Sequence, residues 1–434
     1  MTKVLSDTIK RVLPFLLFFY AFSLVTTMAG MEFASWLSFI SVCLLVFLHR
    51  NDQPYSSYLR FWTFADFALI ALFLVVVAGA LINAPEESDK VFIIGRARWV
   101  FLFLMLKFLF LIEWDQKLER VLYFIFFIAS IVSLNALFQH FTGIDIWRET
   151  NDSIEFTGSA KPYPAYRSIG FFGSAMTFGN SFSILLPIPC AFALFTPWKK
   201  ASLKFFFMLA TFLIGLAVFS TFTRGAWTAA LVSVLFIAVL KNIRAFIVSV
   251  ASIIVVIYLG TSYQPALMGR LTSIVYPTKS SSTLERINIW KANYAIFKDY
   301  PLFGIGYGEN ESVVDQYYHR IKVENGFIGH AHNNLFQFLS GTGIMGTVSY
   351  LAFCIYMLVL NISIWRRVRK KESWASAFAL GTLGAQVALH VSGITECTFK
   401  DMEINHLLIF IFALLLVISY KIKNDPELKQ LQPI

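Results

Sequence analysis

Polar and hydrophobic positions in this chain alternate in long blocks, with extended apolar runs separated by shorter polar segments. A bilayer core is spanned by about 20 consecutive apolar residues in a helix, and the runs match that length. The pattern predicts about twelve transmembrane helices, at residues 12–30, 32–48, 62–82, 98–113, 121–141, 173–195, 203–221, 225–240, 245–261, 333–363, 375–395 and 403–420. We therefore predict an all-α polytopic membrane protein.

Composition agrees with this prediction. Hydrophobic residues make up 57% of the 434 residues and charged residues 14%, whereas charged residues make up about 25% of ordinary soluble domains. So apolar a chain cannot hide its side chains inside one aqueous globule. The four cysteines lie far apart and form no metal-type pair, so no disulfide framework is expected.

The net charge of +10 would indicate a nucleic-acid partner for a soluble protein. Here the basic residues concentrate in alternate short loops, as the positive-inside rule requires, and no nucleic-acid partner is expected. The alternation predicts that both termini face the cytoplasm. The first apolar run is long enough to span, so no cleavable signal peptide is expected. Lys107, inside the fourth predicted span, is expected to snorkel or to face the bundle interior.

One polar segment is much longer than the others and divides the chain. Residues 1–261 carry the first nine predicted spans, residues 262–332 form a large outward-facing helical loop, and residues 333–434 carry the last three spans and a cytoplasmic C-terminus. In the loop, Ser282 followed by Glu285 has the pattern of a capping box. It predicts an amphipathic helix to about Lys298, ended by Pro301.

The apolar face of this loop helix is predicted from residues at helical spacing, which are Leu284, Ile287, Tyr294 and Phe297. Residues 301–308, Pro-Leu-Phe-Gly-Ile-Gly-Tyr-Gly, follow the helix. They are expected to form tight turns, because they lack the Lys and Ser/Thr of a nucleotide-binding P-loop. Gly341, Gly343 and Gly346, in the tenth predicted span, indicate close helix packing or a kink.

Two histidines stand at the mouth of that span, in the sequence His330-Ala331-His332-Asn333. Imidazole changes its charge near neutral pH, and ionisable groups at a membrane are functional candidates by default. The alternative is a polar pair that caps the helix. A metal ion is not predicted, because no carboxylate cluster accompanies the two imidazoles in the sequence.

Two arginines are candidates for binding an anion on the outer face. Arg224 lies in a short turn between two spans, beside the Thr223 hydroxyl, and its guanidinium suits bidentate contact with phosphate oxygens. A snorkelling arginine is the alternative. Arg286 lies near the start of the loop helix, where it would reinforce an anion site or pair with Glu285. Further outward cations are Arg96, Arg98, Arg167 and Lys161.

The chain resembles the bacterial O-antigen ligases and the wider O-antigen polymerase and ligase superfamily. The resemblance rests on Thr223-Arg224-Gly225-Ala226-Trp227, on the Arg286 helix that leads into residues 301–308, and on the histidine motif. That motif is His332-Asn333, nine residues, Gly343-Ile344-Met345-Gly346 and Thr347. It does not separate lipid acceptors from protein acceptors, and polymerases carry looser versions.

The resemblance implies a GT-C-like glycosyltransferase of lipopolysaccharide biosynthesis, in the bacterial inner membrane with its active site facing the periplasm. It would transfer a glycan from undecaprenyl diphosphate to a hydroxyl of the lipid A-core oligosaccharide, with inversion and without metal or other cofactor. By the same resemblance His332 is the base, with His330 as its alternative or orienting neighbour. Arg224 and Arg286 would stabilise the leaving diphosphate, and Thr223 and Asn333 would contact substrate.

Three other functions stay open. A polymerase that joins O-antigen repeats and a protein O-oligosaccharyltransferase would use the same lipid-linked donor. A flippase or exporter belongs to a different class. It would be expected to show internal repeats with broken helices at matching positions, and the sequence shows neither.

Overall fold

The structure is a computed structural model. It describes residues 2–114, 116–147, 154, 166–196, 201–263, 281–323, 326–369 and 374–424, together with 268–269, 271–272 and 274. These residues form helices and connecting loops, with no β-strand among them.

The described residues up to Tyr263 form twelve helices, two of them only five or six residues long. They are α1 (Thr2–Ser23), α2 (Met28–His49), α3 (Tyr55–Leu59), α4 (Phe64–Ile82), α5 (Lys90–Gly95), α6 (Trp99–Ile112), α7 (Gln116–Thr142), α8 (Ala175–Leu185), α9 (Pro187–Phe195), α10 (Ala201–Ser220), α11 (Arg224–Lys241) and α12 (Ile243–Tyr263). The later helices are α13 (Ser281–Asp299), α14 (Asn310–Arg320), α15 (Asn334–Val368), α16 (Trp374–Ser392) and α17 (Met402–Asn424).

The prediction of an all-α polytopic membrane protein is confirmed. Within the described residues, ten helical segments are long and apolar enough to cross a membrane, and each coincides with one of the twelve predicted spans. The other two predicted spans correspond to α1 and α6. The first half of α1 is rich in charged residues, and α6 is only 14 residues long, so neither reaches the length and hydropathy of the ten.

The distribution of burial indicates a lipid-facing exterior. Every residue of α17 from Ile404 to Ile418 is buried, so this helix forms the centre of the bundle. In contrast, no residue in the apolar stretch of α12 is buried, and Ile254, Val255 and Leu259 are more than half exposed. Apolar side chains displayed along a whole helix face are stable in hydrocarbon and not in water.

Lys107 faces the bundle interior, the second of its two predicted placements. Its ammonium lies 2.5 Å from Asp66 Oδ1 on α4, and both side chains are almost completely buried. Thr63, which precedes α4, donates hydrogen bonds from its backbone nitrogen and its hydroxyl to Asp66 Oδ2. A buried charge persists only when it is paired and hydrogen-bonded, and this lysine satisfies both conditions.

The loop helix exists, but its predicted apolar face is wrong. The residues that α13 buries are Ile289, Ala292, Asn293 and Ile296, whereas Leu284 and Tyr294 are exposed. Ile289, Ala292 and Ile296 pack against Val314 and Tyr318 of α14. The helix begins at Ser281 and ends at Asp299, just before Pro301. The sequence of α13 carries two sets of apolar residues at helical spacing, on different faces of the helix. The set that contains Ile289 and Ile296 is the one that packs against α14.

The glycine-rich segment, residues 301–308, supplies hydrogen-bond partners at a break in α15. Gly343 has φ 62° and ψ −165°, which interrupts the helix. The break would leave the carbonyls of Ser340 and Gly341 and the amides of Ile344 and Met345 unpaired. Four hydrogen bonds satisfy them: Ile305 N to Ser340 O (3.0 Å), Gly306 N to Gly341 O (3.2 Å), Ile344 N to Pro301 O (2.8 Å) and Met345 N to Leu302 O (3.2 Å). The expected tight turns are present, and at Gly343 the kink is the one of the two predicted alternatives that the structure shows.

We expect Gly343→Ala to destabilise the protein by about 2 kcal/mol or more. An alanine methyl group would collide with the backbone of Leu302, and φ at this position is positive. The measurement is the apparent melting temperature in detergent. The matched control is Gly95→Ala, where an added methyl group meets nothing within 4 Å. Equal melting temperatures for the two variants would show that the break tolerates a side chain.

Candidate active site

The two histidines lie in a loop that is fixed immediately before α15. Asn333 caps the helix, because its Oδ1 accepts a hydrogen bond from Phe336 N (3.1 Å). Its Nδ2 donates a second hydrogen bond to Ile394 O (2.9 Å), which ties the cap to the segment after α16. His332 has φ 46°, in the left-handed region that non-glycine residues seldom adopt. Such strain persists where the surroundings over-determine it and is concentrated at functional sites. The cap thus occupies the Asn333 side chain, which was predicted to contact substrate.

Glu396 joins the two imidazoles, and sequence reasoning missed it. Its Oε1 lies 3.0 Å from His332 Nδ1 and 3.3 Å from His330 Nε2. Its side chain is 7% exposed, against 13% for His332 and 25% for His330. Glu396 stands in the short segment between α16 and α17, which the predicted alternation of spans places on the same side as the histidines. That signal was available from the topology alone.

Electrostatics in this cluster favour an ionised carboxylate on Glu396 and a neutral imidazole on His330. Burial raises the pKa of the Glu396 carboxyl. The hydrogen bond from His332, together with the positive charge that each imidazole carries when it is protonated, outweighs burial and leaves this pKa below its ordinary value. Burial lowers the pKa of the His330 imidazole, and the Glu396 charge opposes that shift only in part. Glu396 therefore stays ionised and accepts hydrogen bonds.

A network of buried side-chain amides anchors the histidine loop, residues 330–333. Gln337 Oε1 accepts a hydrogen bond from Ala331 N (2.9 Å), between the two histidines. Gln337 Nε2 donates to Asn310 Oδ1 (2.8 Å), and Asn310 Nδ2 donates to Asn293 Oδ1 (2.7 Å) on α13. All three side chains are almost completely buried. The network ties the loop to both helices of the 281–320 segment.

The Arg224 turn, residues 221–227, contacts the loop helix α13, and a second arginine, Arg167, donates a hydrogen bond to it. Arg224 begins α11, and its Nη2 donates to Ser282 Oγ at 2.5 Å. Thr223 is buried and its hydroxyl donates to Ala175 O (3.2 Å), so this hydroxyl is engaged within the fold. Arg167 Nε donates to Thr221 O (3.0 Å), which brings a further predicted cation to the turn.

Gly225 brings this turn against the Glu396 segment. A Cβ atom at Gly225 would lie 2.6 Å from Thr395 Oγ1, the residue before Glu396. The space beside Gly225 is therefore filled by protein packing. Because Arg224 also contacts Ser282, one turn of helix before Arg286, the structure brings the arginine turn, the loop helix and the Glu396 segment together.

Arg286 is half-buried and makes no hydrogen bond or ion pair with any other residue that the structure describes. The predicted alternative, a pair with Glu285, is not formed. Arg96 and Arg98 pair with Glu309 and Glu32 respectively, which gives these two cations structural partners. Lys161 lies outside the described residues. Arg286 is thus the predicted outer cation whose charge is least compensated within the described part of the chain.

No metal ion was predicted, because the sequence places no carboxylate cluster beside the two imidazoles. A carboxylate does accompany the two imidazoles, and one ligand atom from each of His330, His332 and Glu396 lies within 4.8 Å of the others. The sequence hides this arrangement because Glu396 is 64 residues away from His332.

A family model described as O-antigen ligase matches residues 209–351 of the chain. The matched segment contains the Arg224 turn, α13, the histidine loop and the glycine break in α15, and it ends before Glu396. No curated protein matches the chain significantly.

Proposed function

We propose that this chain is an O-antigen ligase, because the family-model match over residues 209–351 supports membership of the O-antigen ligase and polymerase superfamily of membrane glycosyltransferase-like enzymes. The reaction is transfer of an assembled glycan from undecaprenyl diphosphate to a hydroxyl of the lipid A-core oligosaccharide. The observation that carries the proposal is the hydrogen bond from His332 to the buried carboxylate of Glu396, beside the Arg224 turn.

His332 is the base. A carboxylate only accepts hydrogen bonds, so the neutral imidazole of His332 carries its proton on Nδ1, which faces Glu396. Its Nε2 lone pair is then available to take the proton of the acceptor hydroxyl. As the imidazolium forms, the Glu396 charge stabilises it, which is the role of the carboxylate in a Ser-His-Asp triad. His330, which also contacts Glu396, orients the carboxylate.

The donor diphosphate is held by Arg224 and Arg286. The acceptor oxygen forms a bond to the anomeric carbon while the bond from that carbon to the diphosphate oxygen breaks, so the configuration inverts. The electron pair of the broken bond stays on the diphosphate, whose negative charge increases. Preorganised cations at that position lower the barrier, and no metal is needed for the charge. Arg286 suits this role because no described carboxylate neutralises it.

Glycan transfer to lipid A-core requires the histidines and arginines to face the periplasm. The protein lies in the bacterial inner membrane and both termini are cytoplasmic. The polar segment 262–332, which separates the two transmembrane parts 1–261 and 333–434, faces the periplasm. The concentration of basic residues in alternate short loops supports this orientation. Membrane lipids surround the exposed apolar faces.

The deciding experiment is a reconstitution with an undecaprenyl-diphosphate glycan and three acceptors offered separately: lipid A-core, a second lipid-linked repeat, and a protein substrate. Glycan on lipid A-core alone supports the ligase. A lengthened lipid-linked chain would overturn the ligase in favour of a polymerase, and glycosylated protein would favour an O-oligosaccharyltransferase. These alternatives use the same base and donor site, and the acceptor alone separates them.

We expect Glu396→Gln to lower kcat by about 10- to 100-fold, the usual cost of losing a partner that orients a functional imidazole. Glutamine keeps the side-chain shape but loses the charge that stabilises the imidazolium. The KM for the lipid-linked donor should change little, because Glu396 does not contact the diphosphate in this proposal. The control is Glu285→Gln, an exposed carboxylate on α13. An unchanged kcat for Glu396→Gln would exclude its partnership with the base.

A further inference from the structure

We propose that His330, His332 and Glu396 also form a binding site for a divalent transition-metal ion such as Zn²⁺, and that the bound ion inhibits glycan transfer. The binding part stands on geometry alone, whereas the inhibition rests on the proposed function of His332. From the sequence no metal ion was predicted, because no carboxylate cluster accompanies the two imidazoles. The tertiary structure brings one carboxylate, that of Glu396, to them.

The donor atoms are already assembled. Glu396 Oε1 lies 3.0 Å from His332 Nδ1 and 3.3 Å from His330 Nε2, and the two imidazole rings are 4.2 Å apart between centroids. One ligand atom from each side chain therefore lies within 4.8 Å of the others. Four ligands at about 2.0–2.2 Å from a tetrahedral zinc lie a little over 3 Å apart, so a small adjustment of the rings is sufficient.

The donor chemistry selects the ion. Two imidazole nitrogens and one carboxylate oxygen suit Zn²⁺ and neighbouring transition ions, while Mg²⁺ and Ca²⁺ prefer all-oxygen sites. Three protein ligands leave a fourth position open to water, as in zinc sites with two histidines and a glutamate. Both imidazoles are partly exposed, so an ion can reach them from the aqueous side.

Metal binding and base catalysis exclude each other at His332. Coordination through Nδ1 displaces the proton that Glu396 holds there, and the neutral imidazole then carries its proton on Nε2. Nε2 is the atom proposed to accept the proton of the acceptor hydroxyl. The ion also consumes the negative charge of Glu396, which would otherwise stabilise the imidazolium.

Coordination has one identifiable cost. His330 Nδ1 now accepts a hydrogen bond of 3.3 Å from the His332 backbone amide. A metal on His330 Nε2 places the proton on Nδ1, so that contact is lost. The contact is at the long end of the range for nitrogen donors, and one amide is a small loss against three metal–ligand bonds.

The test of binding uses Co²⁺, whose visible absorption strengthens when its coordination number falls from six to four. The full-length protein is purified in detergent with an affinity tag that contains no histidine. We expect a saturable visible band that Zn²⁺ displaces. His330→Gln should weaken Co²⁺ binding by at least about tenfold. Mutation of a residue that only hydrogen-bonds to a metal ligand already lowers metal affinity by that factor, and His330 is a ligand itself. The matched control is His319→Gln, which removes an imidazole that is 83% exposed on α14. This variant should bind Co²⁺ as tightly as the native protein does.

The test of inhibition measures glycan transfer in the reconstituted system. Zn²⁺ should suppress the rate and excess EDTA should restore it, while EDTA alone leaves the rate of the metal-free enzyme unchanged. Absence of a Co²⁺ band, or a band that His330→Gln leaves intact, overturns the site. Binding without inhibition, or loss of activity with EDTA alone, overturns the inhibitory role. If no acceptor is glycosylated the proposed function fails, and the Co²⁺ titration still decides the metal site.

Discussion

His332→Asn is expected to reduce the rate of glycan transfer by about 10²- to 10⁴-fold, the contribution of a positioned general base. Only a very small fraction of the acceptor hydroxyl is ionised at neutral pH, so its attack on the anomeric carbon depends on proton transfer to the imidazole. Asparagine is the chosen replacement because it tolerates the left-handed conformation that His332 adopts, φ 46°. The variant therefore removes the base while retaining the backbone geometry.

The measurement is the rate of transfer in the reconstituted system at saturating donor. His319→Asn removes an exposed imidazole on α14 and should retain the native rate. Equal melting temperatures in detergent would show that His332→Asn still folds and that its loss of rate is chemical. A folded His332→Asn protein with native activity would rule out this base and direct attention to His330.

Arg224→Lys is expected to lower kcat/KM for the lipid-linked donor by about 10- to 100-fold. Lysine keeps the charge but loses the planar fork that contacts two phosphate oxygens at once. One hydrogen bond to a charged group contributes about 1.5–3 kcal/mol, and each 1.4 kcal/mol changes the rate about tenfold. The residual activity of the lysine variant measures what charge alone provides.

Two further variants separate binding of the diphosphate from positioning of the turn. Arg320→Lys alters an exposed arginine that pairs with Asp299 and should leave kcat/KM unchanged. Ser282→Ala removes the hydroxyl that accepts a hydrogen bond from Arg224 Nη2. If Ser282→Ala reproduced the whole loss, Arg224 would act by anchoring α13. Native kcat/KM in Arg224→Lys would mean that no bidentate contact is made.

The sequence predicted the membrane architecture well because the signal is local and strong. An apolar run of bilayer length needs no knowledge of its neighbours, and ten of the predicted spans coincide with helices of spanning length. The prediction was weaker where the segment is short or charged, as in α6 and α1. It failed for the apolar face of α13, because burial of Ile289 and Ile296 depends on α14, which the helix repeat alone does not specify.

The sequence by itself determined the class of protein, ten of the spans, the loop helix and the motifs around Arg224, Arg286 and His332, since all of these are encoded in spacing along one stretch of chain. For the glycines around Gly343 it indicated close packing or a kink without deciding between them. Only the tertiary structure decided which groups meet. It brought Glu396 to His332 across 64 residues and Thr395 to Gly225, and it placed the glycine-rich segment in the break of α15. The physical reason is that buried polar groups must find partners, and those partners come from whichever helices pack together.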